Sequence, residues 1–99
     1  MKDIFSLING ISMDIFPKYQ SKELKATKAA ADELMQFSCD LWGVIEILES
    51  GYNCASSRRK ENISEKCLRK GNDVYKAVVA DCGGYLLLIH FGKFSYKRR

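Results

Sequence analysis

Val74-Tyr75-Lys76-Ala77-Val78-Val79-Ala80-Asp81 and Tyr85-Leu86-Leu87-Leu88-Ile89-His90-Phe91 are two strand-forming runs separated by Cys82-Gly83-Gly84. β-branched, aromatic and aliphatic residues suit a pleated, half-buried surface, and a Gly-Gly pair can take the positive φ angles of a tight hairpin turn. Pairing Cys82 with Tyr85 would set Ala77 opposite His90, Lys76 opposite Phe91 and Val74 opposite Lys93.

Upstream of this hairpin, Gly71-Asn72 closes a helical stretch expected from about Ile63 to Lys70. Before it come the basic cluster Arg58-Arg59-Lys60 and a short strand within Tyr52 to Ser57. Leu41, Trp42, Val44, Ile45, Ile47 and Leu48 follow Ser38 as a cap and stop at Gly51, which predicts a helix. Its acids, Asp40, Glu46 and Glu49, share roughly one side and read as a solvated face rather than a catalytic carboxylate pair. Ser21 and the Lys-, Glu-, Leu- and Ala-rich residues 22–37 predict another helix, with Leu24, Ala31, Leu34 and Met35 turned inward. Ile4, Ile8, Ile11 and Ile15 recur at helical spacing between Asp3 as a cap and Pro17 as a stop, giving a first helix within residues 1–20. Its apolar face serves either the core or a partner.

This order predicts a single α+β domain over residues 1–99, with N-terminal helices packed on a small antiparallel sheet that ends in a C-terminal β-hairpin. At 99 residues and 46% hydrophobic content the chain can build one core and not two. Its longest apolar runs fall well short of the roughly 20 residues that a bilayer-spanning helix needs. A soluble protein without contact to a membrane is expected. Residues 1–16 lack a small-residue cleavage pattern, so a cytoplasmic location and reduced cysteines are expected. Cys39, Cys54, Cys67 and Cys82 lie 15, 13 and 15 residues apart, without the short paired spacing of structural zinc sites. No metal and no cofactor are expected. Phosphate-binding glycine loops and nucleophile elbows do not occur either.

Charge is unevenly spread: residues 1–50 hold 5 Lys/Arg against 8 Asp/Glu, whereas residues 51–99 hold 11 against 4. The second half can therefore present a positive surface to phosphate or to an acidic protein.

Gly51, the Arg58-Arg59-Lys60 cluster, Tyr75-Lys76-Ala77-Val78-Val79 and Leu88-Ile89-His90-Phe91-Gly92-Lys93 together resemble the RelE/ParE toxin superfamily over roughly residues 23 to 97. A branch of that superfamily carries Thr-x-His-Ala at the start of its first family helix. The comparable stretch here is Thr27-Lys28-Ala29-Ala30, with Ala29 at the histidine position. The resemblance implies a small helix-plus-antiparallel-sheet fold, an antitoxin-like protein partner and, as in several members, metal-independent cleavage of messenger RNA on the ribosome. Other members do not cut RNA.

Cleavage through the 2′-hydroxyl needs a base, a cation beside the phosphorane and an acid at the leaving oxygen. His90 is the first candidate for proton transfer, although its apolar neighbours favour a hydrogen-bonded histidine packed among Ala77, Val79 and Leu88. Lys76, Lys93 and Arg98 could hold phosphate, and Tyr96 could stack on a base or act as the acid. Alternation along an unbroken strand puts His90, Tyr96 and Arg98 on one face and Lys93 and Lys97 on the other, with Gly92 as a place for a bulge. Arg58, Arg59, Lys60, Lys97 and Arg98 are candidate RNA-binding residues or solvated loop and tail residues. A second expectation, from a different class, is a noncatalytic interaction module that uses its first helix to form a homodimer or bind a protein partner.

Overall fold

The computed structural model describes residues 16–54 and 61–95. The helix expected within residues 1–20 falls almost entirely outside them, as do Arg58, Arg59 and Lys60 and the tail from Tyr96 onward. The described chain is α+β: β1 (Lys18–Tyr19), β2 (Lys22–Ala26), α1 (Lys28–Gln36), α2 (Leu41–Ser50), β3 (Tyr52–Asn53), β4 (Ile63–Lys70), β5 (Asp73–Asp81) and β6 (Tyr85–Ser95). The strands form a six-stranded sheet in the order β1-β2-β6-β5-β4-β3. All neighbours are antiparallel except β2 and β6, which run parallel, so the sheet is mixed rather than purely antiparallel.

Two expected helical segments are strands. Residues 22–26 have helix-favouring composition, but Leu24 and Ala26 turn to the core while Glu23 and Lys25 turn away, and the segment pairs with Tyr85 to Leu88. Long-range pairing outweighs a propensity difference of a few tenths of a kcal/mol per residue. Residues 63–70 likewise pair along their whole length with β5, from Ile63 opposite Ala80 to Lys70 opposite Asp73. The helix that begins inside the expected 22–37 span starts at Thr27, whose side-chain oxygen accepts from the Ala30 N–H at 3.1 Å. In α2 the cap is Asp40 and not Ser38: its carboxylate accepts from the Gly43 N–H at 2.9 Å. Gly51 closes α2 as expected, donating to the Ile47 carbonyl at 2.8 Å.

The C-terminal hairpin forms where the sequence places it, with Gly83 at a φ of 92° and the Cys82 N–H donating to the Tyr85 carbonyl at 2.9 Å. Its register matches the expected one only as far as Val79 opposite Leu88; the next pair is Val78 with His90, which leaves Ile89 without a partner. This bulge lies before His90 and not at Gly92. Beyond it, Phe91 rather than His90 stands opposite Ala77, and Gly92, Lys93 and Phe94 oppose Lys76, Tyr75 and Val74. An extra residue reverses the facing of everything that follows. Phe91 therefore enters the core, 6.2 Å from the Phe37 ring and 6.3 Å from the Tyr75 ring.

Both helices lie on one face of the sheet. Ala30 and Leu34 from α1 and Val44, Ile47 and Leu48 from α2 meet Leu24, Ala77, Val79, Leu86, Leu88 and Phe91. Met35, expected inside, is 76% exposed, and Trp42 is 56% exposed. Where β2 ends, β6 loses its neighbour and a side chain from α1 takes over: Glu33 accepts from the Phe91 N–H at 2.8 Å. Glu33→Ala removes this charged acceptor and should cost about 1–2 kcal/mol, seen as a lower urea midpoint with unchanged slope.

Gly51 sits where α2 meets β4, and a Cβ there would run into the Ile47 carbonyl oxygen and, at 2.5 Å, the Cys67 carbonyl oxygen. Both are backbone atoms that cannot move aside cheaply. Gly51→Ala should therefore lose about 2 kcal/mol or more of stability, measured by thermal or chemical unfolding.

Candidate functional site

The face of the sheet turned away from the helices carries the strongest candidate site. Alternation brings Val74, Lys76, Val78 and Ala80 of β5 to this outer face, beside His90, Gly92 and Phe94 of β6 and Glu65, Cys67 and Arg69 of β4. His90 is exposed, and Val78 opposite it is 1% exposed. The reading of His90 as a histidine packed among Ala77, Val79 and Leu88 is corrected by the bulge, since those three residues face the helices.

Lys76 lies diagonally across from His90, since His90 pairs with Val78 and Lys76 with Gly92. Its ammonium sits 2.9 Å from the carboxylate of Glu65, which faces Val78 from the other neighbouring strand. Glu65 is 7% exposed, whereas the Lys76 side chain is 40% exposed. A carboxylate withdrawn from water needs such a cation close by. The exposed ammonium has three N–H donors, so it can hold Glu65 and still face a ligand. Proton-transfer, cationic and acidic groups thus surround one apolar residue, Val78.

Lys93 does not join them. It stands opposite Tyr75 on the helix-bearing face, with its nitrogen 3.8 Å from Asp73 and 5.9 Å from the centre of the Tyr75 ring. His90 and Lys93 are separated by the sheet, as alternation beyond the bulge requires. Tyr96, Arg58, Arg59, Lys60, Lys97 and Arg98 all lie outside the described residues. Thr27 caps α1, and Ala29 is exposed in its first turn.

Glu65 was not legible as a site residue, because a helix over residues 63–70 gives no reason to bring it beside Lys76. Also at this face, Lys25 of β2 lies 5.1 Å from the Tyr85 ring and 5.5 Å from the Phe16 ring. Tyr85 has its phenol pushed above the ordinary value by a hydrogen bond with the Cys82 side chain.

The expectation of reduced cysteines is corrected for one pair: Cys54 and Cys67 form a disulfide, with Cα atoms 5.8 Å apart. Cys39 and Cys82 are free thiols. Antiparallel pairing of β3 with β4 puts Tyr52 opposite Cys67 and lets the Cys54 N–H donate to the Glu65 carbonyl at 3.1 Å, so the two cysteines are diagonal neighbours. The bond lies beside Glu65, and Arg58, Arg59 and Lys60 fall between its two cysteines in the sequence. Among the described residues no group of His, Cys, Asp and Glu is placed to hold a metal ion, and no helix is long and apolar enough to cross a membrane.

No protein-family profile, curated protein or solved structure matches the chain. The geometry of the site is therefore the basis for a functional reading.

A disulfide across a loop of this length contributes about 3 kcal/mol by restricting the unfolded chain. Reduction with a thiol, or the Cys54→Ser/Cys67→Ala double variant, should lower the unfolding midpoint correspondingly, with β3 losing amide-exchange protection first.

Proposed function

We propose that the chain is a RelE/ParE-like small basic protein that binds RNA or the ribosome through the outer face of β4 to β6 and cleaves messenger RNA there. The carrying observation is the exposure of His90 diagonally beside Lys76, on the side of the sheet opposite α1 and α2. Two helices on a largely antiparallel sheet ending in a hairpin also agree with the resemblance.

In this reading the His90 imidazole takes the proton of an RNA 2′-hydroxyl, and the 2′-oxygen bonds to the adjacent phosphorus as the bond to the 5′-oxygen breaks. Lys76 holds a non-bridging oxygen as negative charge grows on it. The 5′-oxygen leaves with a proton from an acid, for which Tyr96 is the candidate. The products are a 2′,3′-cyclic phosphate and a 5′-hydroxyl, so no outside reactant is consumed. Lys93, on the far face, has no part in the step.

Controlled expression in a bacterial host tests this. Wild-type chain should arrest growth and fragment transcripts, with cyclic phosphate at the new 3′ ends. His90→Ala should relieve both effects and Lys76→Ala should weaken them by about tenfold or more, the usual scale for a charged group at the reacting centre. Lys93→Ala should leave them intact. Normal growth with intact RNA, or cleavage indifferent to His90→Ala, overturns the reading.

The exposure of Met35 and Trp42 on α1 and α2 favours a second reading, a noncatalytic module that binds a protein partner such as an antitoxin-like chain. Under that reading expression is harmless, and Trp42→Ala disrupts the complex.

A further inference from the structure

An open cleft of about 250 Å³ lies on the helix-bearing face, on the other side of the sheet from His90. Val79 and Leu86 form its floor, Leu48 at the end of α2 adds a third apolar surface, and Asn62, Ser64 and Lys66 line it from the β4 side. An apolar floor with a few polar groups along one edge is the usual composition of a small-ligand site.

Lys66 gives the cleft its charge. Strands β4 to β6 carry four lysines, of which Lys70 reaches Glu46 at 2.6 Å, Lys76 reaches Glu65 at 2.9 Å and Lys93 lies 3.8 Å from Asp73. Lys66 has no carboxylate partner among the described residues, although it is half-buried and faces the helices from a position opposite Ala77. The acid that lines the cleft, Asp81, is already engaged. Its oxygens lie 2.8 and 3.0 Å from the Lys22 nitrogen and accept from the Gly83 N–H at 2.9 Å, contacts that hold its carboxyl below the ordinary value. The local sum of Lys22, Asp81 and Lys66 is thus one positive charge, located at Lys66.

The opposite wall is built at a conformational cost. Gln20 lines the cleft from the two-residue turn between β1 and β2, where it and Ser21 hold φ angles of 54° and 70°. Left-handed backbone at two consecutive residues matches the twist of a hairpin but is normally left to glycine or asparagine. The turn thereby sets an amide side chain, rather than glycine, across from Lys66, Ser64 and Asn62.

We propose that this cleft binds a small organic anion, a carboxylate or a phosphate monoester carried on an apolar body, with Lys66 as the anchor for the charge. The body lies on Val79, Leu86 and Leu48, and Ser64 and Asn62 donate to the anionic group beside Lys66. The site is independent of the RNA reading, since none of its residues belongs to the outer face.

Titration of the isotopically labelled full chain by two-dimensional NMR tests it, with benzoate, phenyl phosphate and inorganic phosphate as probes. Benzoate or phenyl phosphate should give saturable shifts centred on the amides of Ser64, Lys66, Val79 and Leu86, and the tighter of the two identifies the anion class. Inorganic phosphate, which lacks the apolar body, should bind about tenfold more weakly than phenyl phosphate. Lys66→Gln should weaken the favoured probe by about tenfold or more, Lys66→Arg should restore binding, and Lys18→Gln should change nothing. Dispersed shifts away from the cleft confirm that each variant is folded. The proposal is overturned by the absence of saturable shifts with both organic probes, by Lys66→Gln binding as wild type does, or by inorganic phosphate moving every lysine-bearing strand equally.

Discussion

Strand β6 is hydrogen-bonded along both edges, to β2 and to β5, and its side chains serve two helices on one face and an outer surface on the other. Its residues do not alternate in a way that satisfies both demands without interruption. Leu86 and Leu88 belong inside, and unbroken alternation would send His90 in after them and Phe91 out. A buried imidazole would need a partner for each of its nitrogens, whereas a buried Phe contributes apolar contact without such a demand. The unpaired Ile89 resolves the conflict. Both the seat of Phe91 in the core and the exposure of His90 depend on it.

The same arrangement divides the chemistry of the molecule between two surfaces. The outer face combines an exposed imidazole with a withdrawn carboxylate held by a lysine, and the disulfide lies beside that carboxylate. The helix face combines a lysine that has no carboxylate partner among the described residues with an apolar floor. Charge on the strands is therefore organised by face, although along the sequence it looks like one basic half.

The hairpin was legible because two independent features agreed, the aliphatic runs and the glycine pair between them. Helix α2 was legible for the same reason, since its apolar periodicity and Gly51 both marked its extent. Residues 22–26 and 63–70 were not legible, because Lys, Glu and Ala carry helix-favouring propensity while the forces that make strands of them come from partners distant in sequence. The bulge escaped for a related reason: it is set by which of two adjacent residues the helices can accommodate. His90, Lys76 and Lys93 were identifiable by residue type. Alternation separated His90 from Lys93, but the expected register set Lys76 opposite Phe91, on the other face from His90; only the three-dimensional pairing brings Lys76 beside His90 and Glu65 to Lys76.

The parallel pairing of β2 with β6 joins the beginning of the described chain to its end. Tension applied to the two ends would pull these strands in opposite senses along their length, after the two-residue strand β1 had peeled away. Bonds perpendicular to the pull then bear load together, in shear, instead of opening one after another as they do when a hairpin is unzipped. The sheet is thus mechanically anisotropic, stiff when drawn end to end and weak when β1 or β3 is lifted from its margin.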